Sequence, residues 1–434
     1  MAITKLLSLV VLPGVLELKC PSPPDEPSIP AEVPVEHFAV GRNHTCAVAG
    51  QGMRLRCWGE NFVGQLGLMS TDDLGDDEPV FTADDVDLGF FGQIEQVVAG
   101  GYHTCARNVK GRVRCWGYHE FLGVLASEDI GDDEPPAAAP LVFLGYIKGK
   151  HRAAVDLAAN AMGTCALFAD GKMLCWGENS EGELGLGFKG ELIGDDEAPA
   201  SAPFVPLGRG ASNVEGGGDH FCAITDQGNV RCWGQNYTGQ LGYGHKSPIG
   251  DNDTPADAGD VDLGGDAIQQ LALGNAHTCV LTRLGQIRCW GMNKYGQLGY
   301  GHVSDIGDDE LPIAAGYVPV DAKRRAVQVA AGSVHTCAVL DDGGVKCWGF
   351  GFEGQLGYGN KDFIGDNETP LMAPDLNIGG VVRSVAMGQH ACAWLGSMQL
   401  RCWGINAHGQ LGYGHTSIIG DDEIPALSGD VLIY

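Results

Sequence analysis

The sequence predicts an all-β fold: a seven-bladed β-propeller of four-stranded antiparallel blades with one disulfide per blade. Three observations carry that prediction. A Cys-Trp-Gly recurs seven times, its cysteines at Cys57, Cys115, Cys175, Cys232, Cys289, Cys347 and Cys402, with a mean period of about 57 residues. A partner cysteine precedes each by ten or eleven residues: Cys46, Cys105, Cys165, Cys222, Cys279, Cys337 and Cys392. The 67 glycines in 434 residues imply many turns rather than long helices. Seven periods occupy nearly everything after residue 34, which leaves no room for a separate catalytic domain.

Taken in chain order, residues 1–20 read as an export signal. Lys5 precedes an apolar run from Leu6 to Val15 that is too short to span a bilayer. Residues 21–34, "PSPPDEPSIPAEVP", read as an extended, semi-rigid proline-rich tether. Cys20, the one cysteine outside the seven pairs, stands between them and resembles the lipid-attachment site of bacterial lipoproteins. Lys19 and Glu17 depart from that signal.

From residue 35 to 434 the repeat takes over. In each unit an apolar segment such as "VQVAAG" (327–332) alternates at period two and reads as an inner strand. Two short strands, such as "HTCAVL" and "VKCWG", then flank a turn. Gly52, Gly111, Gly171, Gly228, Gly285 and Gly343 each follow the first cysteine by six residues. That spacing suits a three-residue hairpin closed by a left-handed residue. Such a turn sets the two cysteines opposite each other on an antiparallel ladder, where a disulfide needs the closer, non-hydrogen-bonded register. Each tryptophan then packs on the sheet face away from the disulfide. Zinc is the alternative for paired cysteines, but its sites favour tighter C-x₂₋₄-C spacing. In the first unit Cys46 and Cys57 are eleven apart; in the last the glycine is displaced to Gly396, and both bridges should survive. "GQLGYG" reads as a further short strand. The array starts at "VEHFAVG" and ends at "GDVLIY", so the terminal segments should complete a shared blade and close the ring by strand pairing.

The motif "GxxHTC…CWGxNxxGQLG" resembles the regulator of chromosome condensation repeat family, whose members form seven-bladed propellers. "GQLG"-type segments begin at 64, 182, 239, 296, 354 and 409, and "YHEFLGVLA" (118–126) departs from them. The cysteine-paired version with "IGDDE" loops resembles a bacterial secreted branch. The resemblance implies several activities. The nuclear member is a guanine-nucleotide exchange factor that binds chromatin, and relatives include a plant ultraviolet photoreceptor and a secreted inhibitor of β-lactamase. Fold alone does not choose among them. The photoreceptor has "GWRHT" tryptophans where this chain has "GRNHT", "GGYHT" and "GNAHT".

The most conspicuous candidate site is a repeated acidic turn. Its aspartates are Asp76, Asp77, Asp132, Asp133, Asp195, Asp196, Asp251, Asp308, Asp309, Asp366, Asp421 and Asp422. As turn formers they bond local backbone N–H groups. As a shared rim they would attract a basic partner or hold Ca²⁺, a hard cation that takes oxygen ligands. Seven near-identical copies favour the turn. A histidine precedes the first cysteine at His44, His103, His220, His277, His335 and His390, with Gly163 in unit three, and reads as a hydrogen-bonded blade residue rather than a metal ring. A basic residue precedes the second cysteine at Arg56, Arg114, Arg231, Arg288, Lys346 and Arg401, with Leu174 the exception. The repeat is broken at 118–126, at "GYIKGKHRAAVD" (145–156) with Lys148, Lys150, His151 and Arg152, and at "VDAKRRAV" (320–327) with Lys323, Arg324 and Arg325.

The chain holds 55 acidic and 27 basic residues, a net charge of −28, which opposes nucleic acid and anionic lipid. No G-x-S-x-G, phosphate-binding loop or H-E-x-x-H occurs, so no catalytic residue and no required cofactor is assigned. The sequence therefore reads as an extracytoplasmic, monomeric scaffold. It would be secreted or lipid-anchored in the envelope, the anchor its only membrane contact, and it would bind a protein or other macromolecule through its loops. A guanine-nucleotide exchange factor and a carbohydrate-acting propeller enzyme are the alternatives.

Overall fold

Seven three-stranded antiparallel sheets follow one another along the chain. The computed structural model describes residues 35–434, so the signal, tether and Cys20 readings lie outside the described residues. Blade one consists of Val35–Val40, His44–Ala49 and Arg54–Gly59. Blade two has Ile94–Ala99, His103–Asn108 and Val113–Gly117, and blade three Ala154–Ala159, Gly163–Phe168 and Met173–Gly177. Blade four begins at Ala211, blade five at Ile268, blade six at Ala326 and blade seven at Val382. The middle and third strands of each blade are almost wholly buried, and the seven Cys-Trp tryptophans are wholly inaccessible.

The predicted disulfides form. Cys46 pairs directly across from Cys57, and Cys105 from Cys115, with Cα atoms 4.0 and 4.1 Å apart. The other five pairs repeat this geometry. Trp58 lies opposite Thr45, as the alternation requires. In blade three the hairpin closes with Phe168 N–H donating to Lys172 O, and Gly171 sits at φ 76°. In the last unit Met398 takes the left-handed position at φ 67°, since the glycine has moved to Gly396.

Two expectations are corrected. "GQLG" is a turn rather than a strand: Gly64 and Gly67 both have φ above 70°, and the Asn61 side chain spans the turn by accepting from Leu66 N and donating to Ser70 O. The fourth strand of each blade is reduced to two contacts, a bridge such as Gly59↔Leu74 and one bond such as Val86 N–H to Leu55 O. Ring closure likewise needs no strand exchange. Val431 N–H donates to Leu400 O within blade seven, as Val261 does to Val230 within blade four. "GDVDLG" (259–264) thus finishes blade four, and its counterpart "GDVLIY" finishes blade seven.

Candidate functional site

A single joint, repeated with variations, holds neighbouring blades together. His44 Nε2 lies 2.9 Å from Thr104 Oγ1 of blade two, and Thr104 donates to Gln65 O at 2.8 Å. Trp116 Nε1 donates to the same carbonyl at 3.0 Å. The threonine's only proton goes to the carbonyl, so Nε2–H of the histidine must be the donor between them. The joints 4/5, 5/6 and 7/1 repeat this chain through His220–Thr278, His277–Thr336 and His390–Thr45. Burial holds these imidazoles neutral, at about 3 to 4. The hydrogen-bonded blade-histidine reading holds for five of the six, each bonded to the next blade's threonine, while His335 has no partner.

In three units the basic residue before the second cysteine also ties blades, whereas Arg114, Arg288 and Lys346 bond carbonyls of their own blade. Arg56, Arg231 and Arg401 reach back to Ile433 O, Leu207 O and Ile378 O of the preceding blade. Each also pairs with a carboxylate of its own blade, Asp85, Asp260 and Asp430 respectively. The closing joint is built like the others, with Tyr434 under the Arg54 guanidinium at 4.0 Å.

Joint 3/4 lacks the chain altogether. Gly163 stands in the histidine's place and Phe221 in the threonine's, and Trp233 Nε1 finds no partner. Phe221 fills the space by stacking on Trp233, with centroids 6.1 Å apart. Two pairs of carboxyls at this joint are raised, chiefly by burial: Glu183 to about 7 with Asp219 in the same direction, and Glu215 to about 8 with Asp156 in the same direction. Glu215 faces a central channel of about 800 Å³, at a position where other inner strands carry Ala39, Val98, Ala158 or Ala272.

The acidic turns gather at the end of the ring where strands such as Arg54–Gly59 finish, because each follows the bridge at Leu74, Ile130 and their equivalents. Gly131 packs so closely on Gly64 of blade one that a side chain there would strike the backbone, and Met69 N–H donates to Gly131 O at 2.9 Å. The turn is thus part of the joint, which explains its seven copies. In five turns the carboxylates lie within 4.8 Å of one another, with Asp77, Asp133, Asp196, Asp309 and Asp422 the exposed members. Asp251, Asp308 and Asp421 each take a lysine of the preceding blade: Lys189, Lys246 and Lys361. Asp195 and Asp366 each keep one oxygen unpartnered. Asp76 and Asp132 complete the set, beside Gly75 and Gly131.

The two irregular basic segments prove unlike. Arg324 is bound by Asp321, Asp342 and Asp375, and Arg325 lies 3.8 Å from Asp341, so that cluster is neutralised. The segment at 145–156 instead forms an additional hairpin, Tyr146–Ile147 against Lys150–His151. At 118–126 the turn is shortened, and Trp176 Nε1 loses its partner in consequence.

A closed ring of seven contiguous, disulfide-stapled blades linked by repeated polar joints defines a repeat propeller. Models of the regulator of chromosome condensation (RCC1) repeat match residues 35–65, 94–121, 155–183, 212–240, 268–297 and 326–355, and in a second form 54–107, 227–281 and 285–339. The chain belongs to the RCC1 repeat family. It is 31% identical over 350 residues to the ultraviolet-B receptor of Arabidopsis thaliana, covering 81% of this chain and 71% of that one. With the secretion-regulating guanine nucleotide exchange factor of Bos taurus it shares 32% identity over 244 residues, 55% of this chain and about half (49%) of the relative. Among solved structures, human WBSCR16 superposes with a TM-score of 0.65 at 19% identity, covering 85% of this chain and 92% of that one. Prp20p of Saccharomyces cerevisiae gives 0.59 at 19%, covering 81% and 80%. These two likenesses show the fold.

Proposed function

We propose that the protein is a non-enzymatic, extracytoplasmic scaffold that binds another protein through the loops at the ends of its ring. The observation that carries the reading is the set of seven disulfides inside strand pairs. Such bonds persist in an oxidising compartment and are rare in the cytosol. Prp20p, of the same fold, binds Gsp1p and histones, which supports a protein partner here. The outward aspartates, Asp77 and its four counterparts, suit a basic surface on that partner. Cys20, if acylated, would hold the ring at the envelope.

The test is affinity capture with the purified ring from the native envelope, paired with thiol counting on protein from its own host. The reading expects a captured envelope protein and fourteen oxidised cysteines. Free thiols together with accelerated nucleotide release from a small GTPase would overturn it and favour the exchange factor.

A further inference from the structure

We infer that the hairpin end of blades two and three is a docking surface for an anionic lipid bilayer. The segment Tyr146–His151 forms a two-residue hairpin whose turn residues, Lys148 and Gly149, have φ of 51° and 75°. Two left-handed residues in succession make a type I′ turn, the tight connection that matches strand twist. The hairpin is therefore a shaped element that holds its side chains out. Tyr146 is 62% exposed and Ile147 43%. Tyr146 is braced by Phe143 at 5.3 Å and His151 at 4.7 Å between ring centroids.

Cations surround this apolar tip. Lys148 and Lys150 flank it and, among the described residues, neither has a carboxylate partner. Gly111 packs on Ala153, and Ala154 N–H donates to Gly111 O at 3.0 Å. That contact brings Lys110 and Arg112, also unpaired, beside the hairpin. In a chain with a net charge of −28 this is a local reversal of sign. At the same end Arg324 is neutralised by Asp321, Asp342 and Asp375, and Arg152 by Asp170, whereas Arg283 of the blade-five turn stands alone without a second cation beside it in sequence. Screening limits the reach of the remaining acidic surface to roughly 8 Å at physiological ionic strength, so the patch acts at contact range.

The occupant follows from shape and chain path. An exposed apolar pair on a two-stranded hairpin, with Lys148 next in chain and Lys150 opposite Ile147, offers no groove for a peptide or a sugar ring. It does match the layered chemistry of a bilayer interface, where acyl boundary lies beneath anionic headgroups. The chain also enters the ring on this side, since Val35 pairs with Ala49 next to the blade-one hairpin. A ring docked this way turns its acidic turns away from the bilayer.

Flotation with vesicles tests this, using the full chain carrying Cys20→Ser so that no acyl group contributes. Equimolar phosphatidylglycerol–phosphatidylcholine vesicles should bind at least tenfold more tightly than phosphatidylcholine alone. K148A/K150A should weaken binding roughly thirtyfold, about fivefold per lysine, and Y146S/I147S roughly tenfold or more. Unchanged melting temperatures would show that both variants remain folded. Three results each overturn the inference: equal binding to the neutral vesicles, binding indifferent to K148A/K150A, or retention by a soluble sulfated polysaccharide without flotation. None of them bears on whether the ring also binds a protein.

Discussion

Ala391→Thr should make this protein more stable, and the reason lies in one incomplete joint. At 6/7, His335 is buried with neither ring nitrogen hydrogen-bonded. Its expected partner position holds Ala391, opposite Trp403 just as Thr45 is opposite Trp58. Trp403 Nε1 already donates to Gln355 O at 3.0 Å, so the accepting carbonyl is in place. A threonine here would accept from His335 Nε2–H and donate to Gln355 O. Five other joints accommodate that side chain, four of them with the complete chain to the carbonyl. Two hydrogen bonds at about 1 kcal/mol each, one of them rescuing a buried donor, amount to about 1–3 kcal/mol. Unfolding a 400-residue ring carries an entropy of roughly 0.8 kcal/mol/K, so Tm should rise by about 1–4 °C in calorimetry. The converse change, Thr104→Val, should cost about 2–4 kcal/mol and lower Tm correspondingly. If Ala391→Thr leaves Tm unchanged or lowers it while Thr104→Val is harmless, the joints are not what holds the blades together.

Stability should fall as pH rises from about 6.5 to 8, a window above the unfolded histidine value, where the six buried imidazoles held at about 3 to 4 no longer oppose the trend. Glu78, Glu134 and Glu423 at about 7 and Glu215 at about 8 bind protons more tightly folded than unfolded. The penalty of ionising them is absent below an unfolded value near 4.5 and complete above 8. Calorimetry at the two pH values checks the sign, and Glu215→Gln should flatten the dependence. Chelation with EDTA should shift Tm by less than about 1 °C, because the acidic turns are held by backbone contacts such as Met69 N–H to Gly131 O; a larger fall would make them calcium sites. Replacing Cys105 and Cys115 together by serine should cost about 2–3 kcal/mol, the loop-closure value for a ten-residue separation, measured by guanidinium unfolding.

The period, the disulfides and the strand order were legible because they depend on spacing, which a repeated sequence displays openly. "GQLG" was misread because its apolar alternation looks like a strand, whereas the sign of φ at Gly64 and Gly67 depends on packing against the next blade. The histidine's partner was hidden for a related reason. Thr45 follows His44 directly, yet alternation sends the two to opposite faces, so each bonds across a different joint. One signal was present: the unit lacking its histidine, at Gly163, is followed by one of the two units lacking the threonine, at Phe221, although the other, at Ala391, follows a unit that keeps His335. The hairpin at 146–151 escaped notice because Lys-Gly is a weaker turn signal than Asn-Gly.

Because no strand is shared across the join between Tyr434 and blade one, every blade is covalently whole. New ends opened between any two blades, with the old ones spliced, should therefore give a circular permutant that folds. The same completeness lets a gene grow by copying entire units, each arriving with its own staple and its own half of a joint. A join so ordinary leaves no mark of where the chain began.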